Sequence, residues 1–406
     1  MVTPWNRMAL LKNPVQEYAW GSRTFLPEFL NEPSPSEKPK AELWMGAHPK
    51  APSQVFRGES WIPLPQLIQQ DPGAILGQGI AEKFFDQLPF LFKILTAAKP
   101  LSIQAHPDRE KALEGYDREN SMGIPVDAPH RNYRDQNHKP EFICALTSFW
   151  ALKGFRNSGE IQKLMNPLGS PLLQEVSGVL LKYPDKEGLR HFFSSLMTLE
   201  PGQQGDVITQ AVNGAQKHAH KDMALEWMLK LHTLFPHDVG ILAPLFLNLV
   251  HLEPGQAMAL SDGELHAYLE GAAIELMANS DNVLRGGLTA KHIDVPELLR
   301  VLKFSETQVK ILEPTWEAKV EGVYPTDAEE FVLSVLKPRT GSPFTSERNR
   351  AVEILICTEG AAEITDPGMN DVFSLDRGAS ILVPASLGQY KIRGEATIYK
   401  ATVPMA

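Results

Sequence analysis

A mostly β protein with one helical insertion is the fold class this 406-residue sequence predicts, and three observations carry the prediction. Most apolar runs are short and are broken by Gly, Pro or polar clusters, the pattern of strands and turns. Only from about Ser158 to Leu234 do apolar positions recur at a helical period: Leu189, Phe192, Phe193 and Leu196 stripe one face, and Ala224, Trp227, Met228 and Leu231 another. Finally, Gly378-Ala-Ser-Ile-Leu-Val-Pro-Ala-Ser echoes Gly255-Gln-Ala-Met-Ala-Leu-Ser-Asp-Gly, which indicates a degenerate internal repeat of one barrel motif. The expected division is a first barrel from residues 1–154 and 239–300, a helical insertion at 155–238 and a second barrel at 301–406.

Composition limits what the chain can do. With 43% hydrophobic residues each unit can bury a core. Lys and Arg number 39 against 49 Asp and Glu, a net charge of −10, so no basic field draws in nucleic acid and any anion site must be built locally. The two cysteines, Cys144 and Cys357, fall in separate apolar runs and read as reduced, buried thiols, which suits a reducing cytoplasm. Met1 to Arg7 lacks the apolar core of a signal peptide, and the most apolar run, Ile241 to Leu252, is too short to span a bilayer.

Taken in order, Ala41 to Pro49 reads as a buried strand with His48 at its end, a structural histidine or one step removed from a site. Ser60 to Gly79 holds one or two short helices, and a fully buried strand begins at Leu88. In Lys99-Pro-Leu-Ser-Ile-Gln-Ala-His-Pro-Asp108, alternation puts Ser102, Gln104 and His106 on one face and Leu101, Ile103 and Ala105 on the other. The polar row is an outward face or a strand offering two metal ligands into a barrel. Asp108 to Tyr116 reads as a short helix, and 119–137 as a long polar loop with Arg131 and Arg134. Pro140 then fixes the entry of another strand, leaving Lys139 and Glu141 on one face, either as an exposed ion pair or as part of a site.

The densest stretch is Glu253 to Leu299, read as Gly-broken strands. His266 follows a Gly-containing turn, and Asn279, Ser280, Asp281, Asn282 and Arg285 follow within twenty residues. That density is either a polar hairpin loop or a lined pocket. If Glu141 shares an ion with Gln104, His106 and His266, the set of two imidazoles, one carboxylate and one amide oxygen suits zinc without excluding Mn, Co or Fe. His218 and His220 fall on different sides of a helix and do not form a comparable pair. Beyond Val301 the strands expected are Phe331–Leu336, Val352–Cys357, Ala361–Ile364, Ala379–Pro384, Tyr390–Ile392 and Ala396–Val403, in a repeat without histidines that binds no metal.

Tyr18-Ala-Trp-Gly21, Ala41-Glu-Leu-Trp-Met-Gly-Ala-His-Pro49, the 99–108 and 137–141 segments, Leu265-His-Ala-Tyr268 and the run from Glu275 to Lys291 together resemble the type I phosphomannose isomerases. The resemblance spans 1–150 and 250–300 and is weak over 155–240 and beyond about 300. It implies two cupin-like (jelly-roll) β-barrels, one carrying a helical insertion, and a zinc-dependent enzyme with one zinc per chain that interconverts mannose 6-phosphate and fructose 6-phosphate. Its zinc ligands would be Gln104, His106, Glu141 and His266, with Arg285 as the active-site arginine. The chain departs from the family pattern ahead of the last ligand, where a usual Pro-Ala-Gly turn is replaced by Ser261-Asp262-Gly263.

Shifting a carbonyl between C1 and C2 needs a base, an acid and a partner for the enediolate charge. Lys139 is the first candidate base, or a lysine that only positions substrate; Glu275 and a zinc-bound water are the alternatives, and Asp281 is placed at ring opening. Arg285 suits phosphate or transition-state oxygens, and Ser102 and Lys291 are further phosphate contacts or an ordinary hydroxyl and cation. The partner expected is thus a small sugar phosphate, with no nucleic acid and no membrane, and a monomer is compatible with the sequence. Two other readings use the same pocket: an iron-dependent cupin oxygenase, disfavoured by the Gln and the Arg-Gly-Gly segment, and a sugar-phosphate-binding regulator without turnover.

Overall fold

The computed structural model describes residues 6–57, 60–317, 320–366 and 371–405. Most of the N-terminal stretch read as lacking a signal-peptide core, residues 1–5, lies outside them. No helix among the described residues is long and apolar enough to cross a membrane. The architecture is mostly β with a helical insertion, and its strands form two antiparallel, cupin-like sheet systems.

In the first system the central path runs Leu247–Leu252, Phe149–Phe155, His266–Ala278, Phe90–Ala97, Glu42–Gly46 and Val15–Gln16, with Ile103–Ala105, Glu141–Ala145, Ala257–Leu260 and Leu284–Gly287 branching from it. The 13-residue strand His266–Ala278 is its spine, pairing with four others. Gly271 makes that length possible: at φ +121° a Cβ would lie 2.5 Å from the carbonyl oxygen of Ser148. Phe90–Ala97 is buried throughout, yet it carries Lys93 at its centre.

Five helices of the insertion, Ser158–Met165, Pro171–Lys182, Lys186–Met197, Pro201–His218 and Met223–Leu234, begin on side chains that satisfy their free N–H groups. Asn157, Ser170, Asp185 and Asp222 accept from the first turn, and Glu200 with Gln203 forms a capping box. The expected stripes are the buried ones. Phe192, Phe193 and Leu196 join Trp227, Met228 and Leu231 in one core that continues to Phe155 and Phe246 beside the first barrel.

The second system includes Glu321–Val323, Val332–Leu336, Lys391–Thr402, Glu353–Asp366 and Ser380–Val383, and takes in Ala9–Lys12 from the chain's start. Val352–Cys357 and Ala361–Ile364, read as two strands, are one, and so are Tyr390–Ile392 and Ala396–Val403. Gly360 and Gly394, at φ +71° and +136°, bend these strands without ending them, and a bulge follows Cys357. The repeat is visible in three dimensions, for Gly255 (φ +87°) and Gly378 (φ +89°) each turn the chain into a short buried strand, Ala257–Leu260 and Ser380–Val383. A shared apolar core, including Phe92, Phe142, Ile274, Tyr324, Leu333 and Ile354, joins the two barrels.

Other departures are local. Ser60–Pro63 is a strand, followed by three short helices between Leu64 and Lys83, and the helix after Asp108 runs on to Ser121. Val295–Val301 is helical, started by Asp294 accepting from Glu297 N, where Gly-broken strands were expected through Leu299. Both cysteines are buried and free.

Candidate metal centre and the pocket above it

Strand register assembles the centre. Gln104 lies opposite His266 on one side and opposite Arg285 on the other, so the three side chains share a face. Glu141 enters from its own strand, opposite Leu260 and Met277. His106 stands just past the end of Ile103–Ala105, two residues on from Gln104 and thus on the same side.

Glu141 ends between the two imidazoles: Oε1 is 3.2 Å from His106 Nε2 and Oε2 is 3.3 Å from His266 Nε2, with all three side chains nearly inaccessible. Each ring is oriented from behind. His106 Nδ1–H donates to the Asn282 carbonyl at 2.6 Å and His266 Nδ1–H to the Glu264 carbonyl at 3.0 Å, which leaves both Nε2 lone pairs facing inward. Neither Nε2 has a hydrogen-bond partner.

Burial, then Lys139, pushes His106 down to about 4, so the ring is neutral at pH 7. Burial would raise the Glu141 carboxyl, but the Lys139 ammonium outweighs it and holds it well below the carboxylate range. The result is two imidazole lone pairs and a carboxylate, all buried and within 4.8 Å of one another. Such acceptors repel unless a cation sits among them, so the donor set fits a divalent metal. No other group of three His, Cys, Asp or Glu side chains converges this way among the described residues.

Lys139 is buried, with Nζ 2.9 Å from Glu141 Oε1. Glu275 is also buried and pairs with Lys93 at 2.7 Å, while Glu42 lies 3.8 Å from the same ammonium. Burial alone would lower Lys93; the two carboxylates outweigh it and raise it. The register Trp44–Lys93–Glu275 extends this polar floor, and Tyr268 donates to Glu141 at 3.3 Å.

Sequence reading passed over Glu42, Lys93 and Tyr268. A single lysine inside the apolar run Leu91-Phe-Lys-Ile-Leu95 was the available signal, since a buried ammonium requires carboxylates nearby.

Asp281 is half-buried and pairs with Lys50 at 2.7 Å and lies 3.6 Å from His48 Nε2; burial would raise it, but these two partners hold it far below the ordinary range. His48 is buried and packs edge-on against Trp44. Asn282, wholly buried, accepts from the backbone of Arg134 and Asp135 and donates to the carbonyls of Asp135 and Asn137. It thereby ties the 134–137 loop to the 279–283 connection, whose Asn282 carbonyl orients His106.

Three cations gather at the rim. Burial, then Arg134, lowers the Arg285 guanidinium; burial, then Arg285 and Arg134, lowers exposed Lys291. Such mutual repulsion marks a place where an anion would be favoured. Arg134 was noted in sequence only as a loop residue. Ser102, half-buried, precedes Ile103, which pairs with Gly287 of the Arg-Gly-Gly segment. Arg131 does not join them: it is buried and holds the Tyr133 and Ile124 carbonyls, shaping the loop from within.

Comparison with known proteins agrees with this geometry. The phosphomannose isomerase type I catalytic domain matches residues 8–158, and the helical insertion domain of the same family matches residues 172–247. The chain is 38% identical over 396 residues to mannose-6-phosphate isomerase of Escherichia coli K12, covering 96% of this chain and 98% of that one. It is 33% identical to the Homo sapiens protein of that name, covering 94% of each. The crystal structure of mannose 6-phosphate isomerase from Salmonella typhimurium bound to substrate and zinc superposes with a TM-score of 0.91 at 36% identity, covering 98% of this chain and 100% of the other. The chain belongs to the type I phosphomannose isomerases.

Proposed function

We propose that this protein is a zinc-dependent aldose-ketose isomerase that interconverts mannose 6-phosphate and fructose 6-phosphate. The observation that carries the reading is the pair of inward, partnerless Nε2 atoms beside the Glu141 carboxylate, beneath a rim of three cations. Gln104, His106, Glu141 and His266 are assigned as the residues that hold zinc. When bound, zinc supplies a Lewis acid for the sugar oxygens and offsets the charge of the enediolate.

The chain's own residues do the rest. Arg285, with Arg134 and Lys291, takes the phosphate and so fixes the distance from the rim to the reacting carbons, with Ser102 as a further phosphate contact. Lys139 is assigned the proton shuttle. In the aldose-to-ketose direction its neutral amine, favoured over the ammonium by a dication bound alongside, would take the proton from C2 and return it to C1 while the O2 proton passes to O1, and its Nζ is kept in place by Glu141. Asp281, a carboxylate steadied by Lys50, orients the sugar hydroxyl at ring opening. Glu275, already paired with Lys93, is assigned to the pocket floor and not to proton transfer.

The domain division proposed with this reading is residues 1–154 and 239–300 for the catalytic barrel, 155–238 for the insertion and 301–406 for the second barrel. The partner is a small sugar phosphate. The acidic balance offers no field for nucleic acid, and the two buried free thiols favour a cytoplasmic location.

A coupled assay with mannose 6-phosphate, run before and after chelation and again after zinc is restored, tests the reading. Turnover should vanish with the chelator and return with zinc. Its absence from the zinc-restored protein removes the isomerase reading and leaves a sugar-phosphate-binding barrel.

A further inference from the structure

The turn Ser261-Asp262-Gly263 is where the second barrel reaches the metal centre. Lys139 and Glu141 face the centre; His138, between Asn137 and Lys139 on the same extended stretch, faces away. Its ring is clasped on both nitrogens. Nε2 lies 2.8 Å from Oε1 of Glu330, a buried residue of the second barrel, and Nδ1 lies 3.4 Å from Oδ2 of Asp262. Arg109 stands 3.0 Å from the same Glu330 oxygen and 3.1 Å from Nε2. The shorter contact decides the arrangement: both Nε2–H and the guanidinium donate to Glu330.

This cluster sits behind both halves of the metal centre. The N–H of Gly263 donates to the His106 carbonyl at 2.7 Å, and Glu264, the next residue, supplies the carbonyl that orients His266. Gly263 has φ +71°, and a Cβ there would come within 2.8 Å of the Val301 carbonyl oxygen, so the turn is held by close backbone contact on its other side. A displacement of Asp262 therefore reaches His106 and His266, and a displacement of His138 reaches Lys139 and Glu141. Burial would lower the His138 imidazole, but Asp262 and Glu330 outweigh it and hold it at about 9, so the clasp is an ion pair at neutral pH.

We propose that Asp262 and Glu330 are positioning residues for this centre: acting through His138, they fix the stretch that presents Lys139 and Glu141 against the turn that presents His266, so the second barrel sets the geometry of the first. The proposal rests on the reading of the centre given above and adds a role for the second barrel.

The test uses the full chain with Glu330→Ala, Glu330→Gln, Asp262→Ala and His138→Gln. Zinc affinity of the metal-free protein is read by competition with a chromophoric chelator, and kcat and KM are read with mannose 6-phosphate. Glu330→Ala and Asp262→Ala should each weaken zinc binding and lower kcat roughly 10-fold, with KM nearly unchanged. Glu330→Gln, which still offers an oxygen to Nε2–H, should recover most of both and covers the case in which the alanine variant fails to fold. In the His138→Gln background, Glu330→Ala should do nothing more.

Unchanged zinc affinity and kcat in Glu330→Ala overturn the proposal, as does an equal loss with and without His138. Should the wild-type protein bind zinc but leave mannose 6-phosphate unchanged, weaker zinc binding by Glu330→Ala still supports the clasp, and only the isomerase reading fails.

Discussion

The two barrels repeat one motif, yet their interiors balance charge in opposite ways. Inside the second, Glu353 lies 3.5 Å from Arg350 Nε and 3.5 Å from Lys400, and Lys400 reaches Glu321 at 2.6 Å, so two carboxylates face two cations. Inside the first, among the described residues, Glu42, Glu141 and Glu275 pair with Lys93 and Lys139, and two imidazoles add Nε2 atoms that meet no hydrogen-bond partner. One interior neutralises itself; the other is short of positive charge where its acceptors converge. A divalent ion corrects that shortage and leaves an excess for an anionic sugar phosphate. What separates a working site from a packed polar core here is the imbalance, since both barrels bury charge.

The largest effect that could break this contrast is on turnover. Glu141→Ala removes the only carboxylate between the imidazoles and should lower kcat with mannose 6-phosphate roughly 1000-fold, with no recovery at high zinc. Glu353→Ala, the corresponding loss of a central carboxylate in the second barrel, takes the carboxylate from buried Arg350 and leaves Lys400 with Glu321 alone. The cation left without a carboxylate is thus Arg350, and the variant should lower the unfolding free energy in urea by about 3 kcal/mol while the surviving folded protein turns over normally. An equal loss of turnover in both variants would erase the distinction.

Next in size, Arg285→Met should cut kcat/KM about 100-fold at the rim of the first barrel, with zinc affinity unchanged. The smallest effect concerns the clasp between the barrels. The His138 pKa of about 9 lies above its ordinary 6.5, so its contribution to stability is complete below about 6.5 and is lost as pH rises through 9. Urea melts of the metal-free protein should lose that contribution across this window, and His138→Gln should flatten the slope there.

Much of the fold was legible because apolar period and turn residues are local properties. The helical stripe Leu189, Phe192, Phe193 and Leu196 is buried as its spacing requires. Reading failed where Val352–Cys357 was separated from Ala361–Ile364 and Tyr390–Ile392 from Ala396–Val403: Gly360 and Gly394 lie in those gaps, and a glycine at positive φ bends a long strand as readily as it closes a short one.

At the site, alternation foretold that Gln104 and His106 share a face, and the register with His266 follows that pattern. The separation of Lys93 from Glu275 in sequence hid their pairing, since long-range strand register decides which buried charges meet. The link from Asp262 through His138 to Glu330 was invisible for the same reason. The unusual turn could be seen in the sequence; the side chain that makes use of it, from the other barrel, could not.

Zinc stoichiometry by equilibrium dialysis, on the wild-type protein and on Glu141→Ala and Glu353→Ala, tests the charge-imbalance account most directly. One zinc per chain in the wild type and in Glu353→Ala, with none retained at micromolar free metal by Glu141→Ala, is the predicted result. Tight zinc retained without Glu141, or lost when only Glu353 is removed, would contradict it.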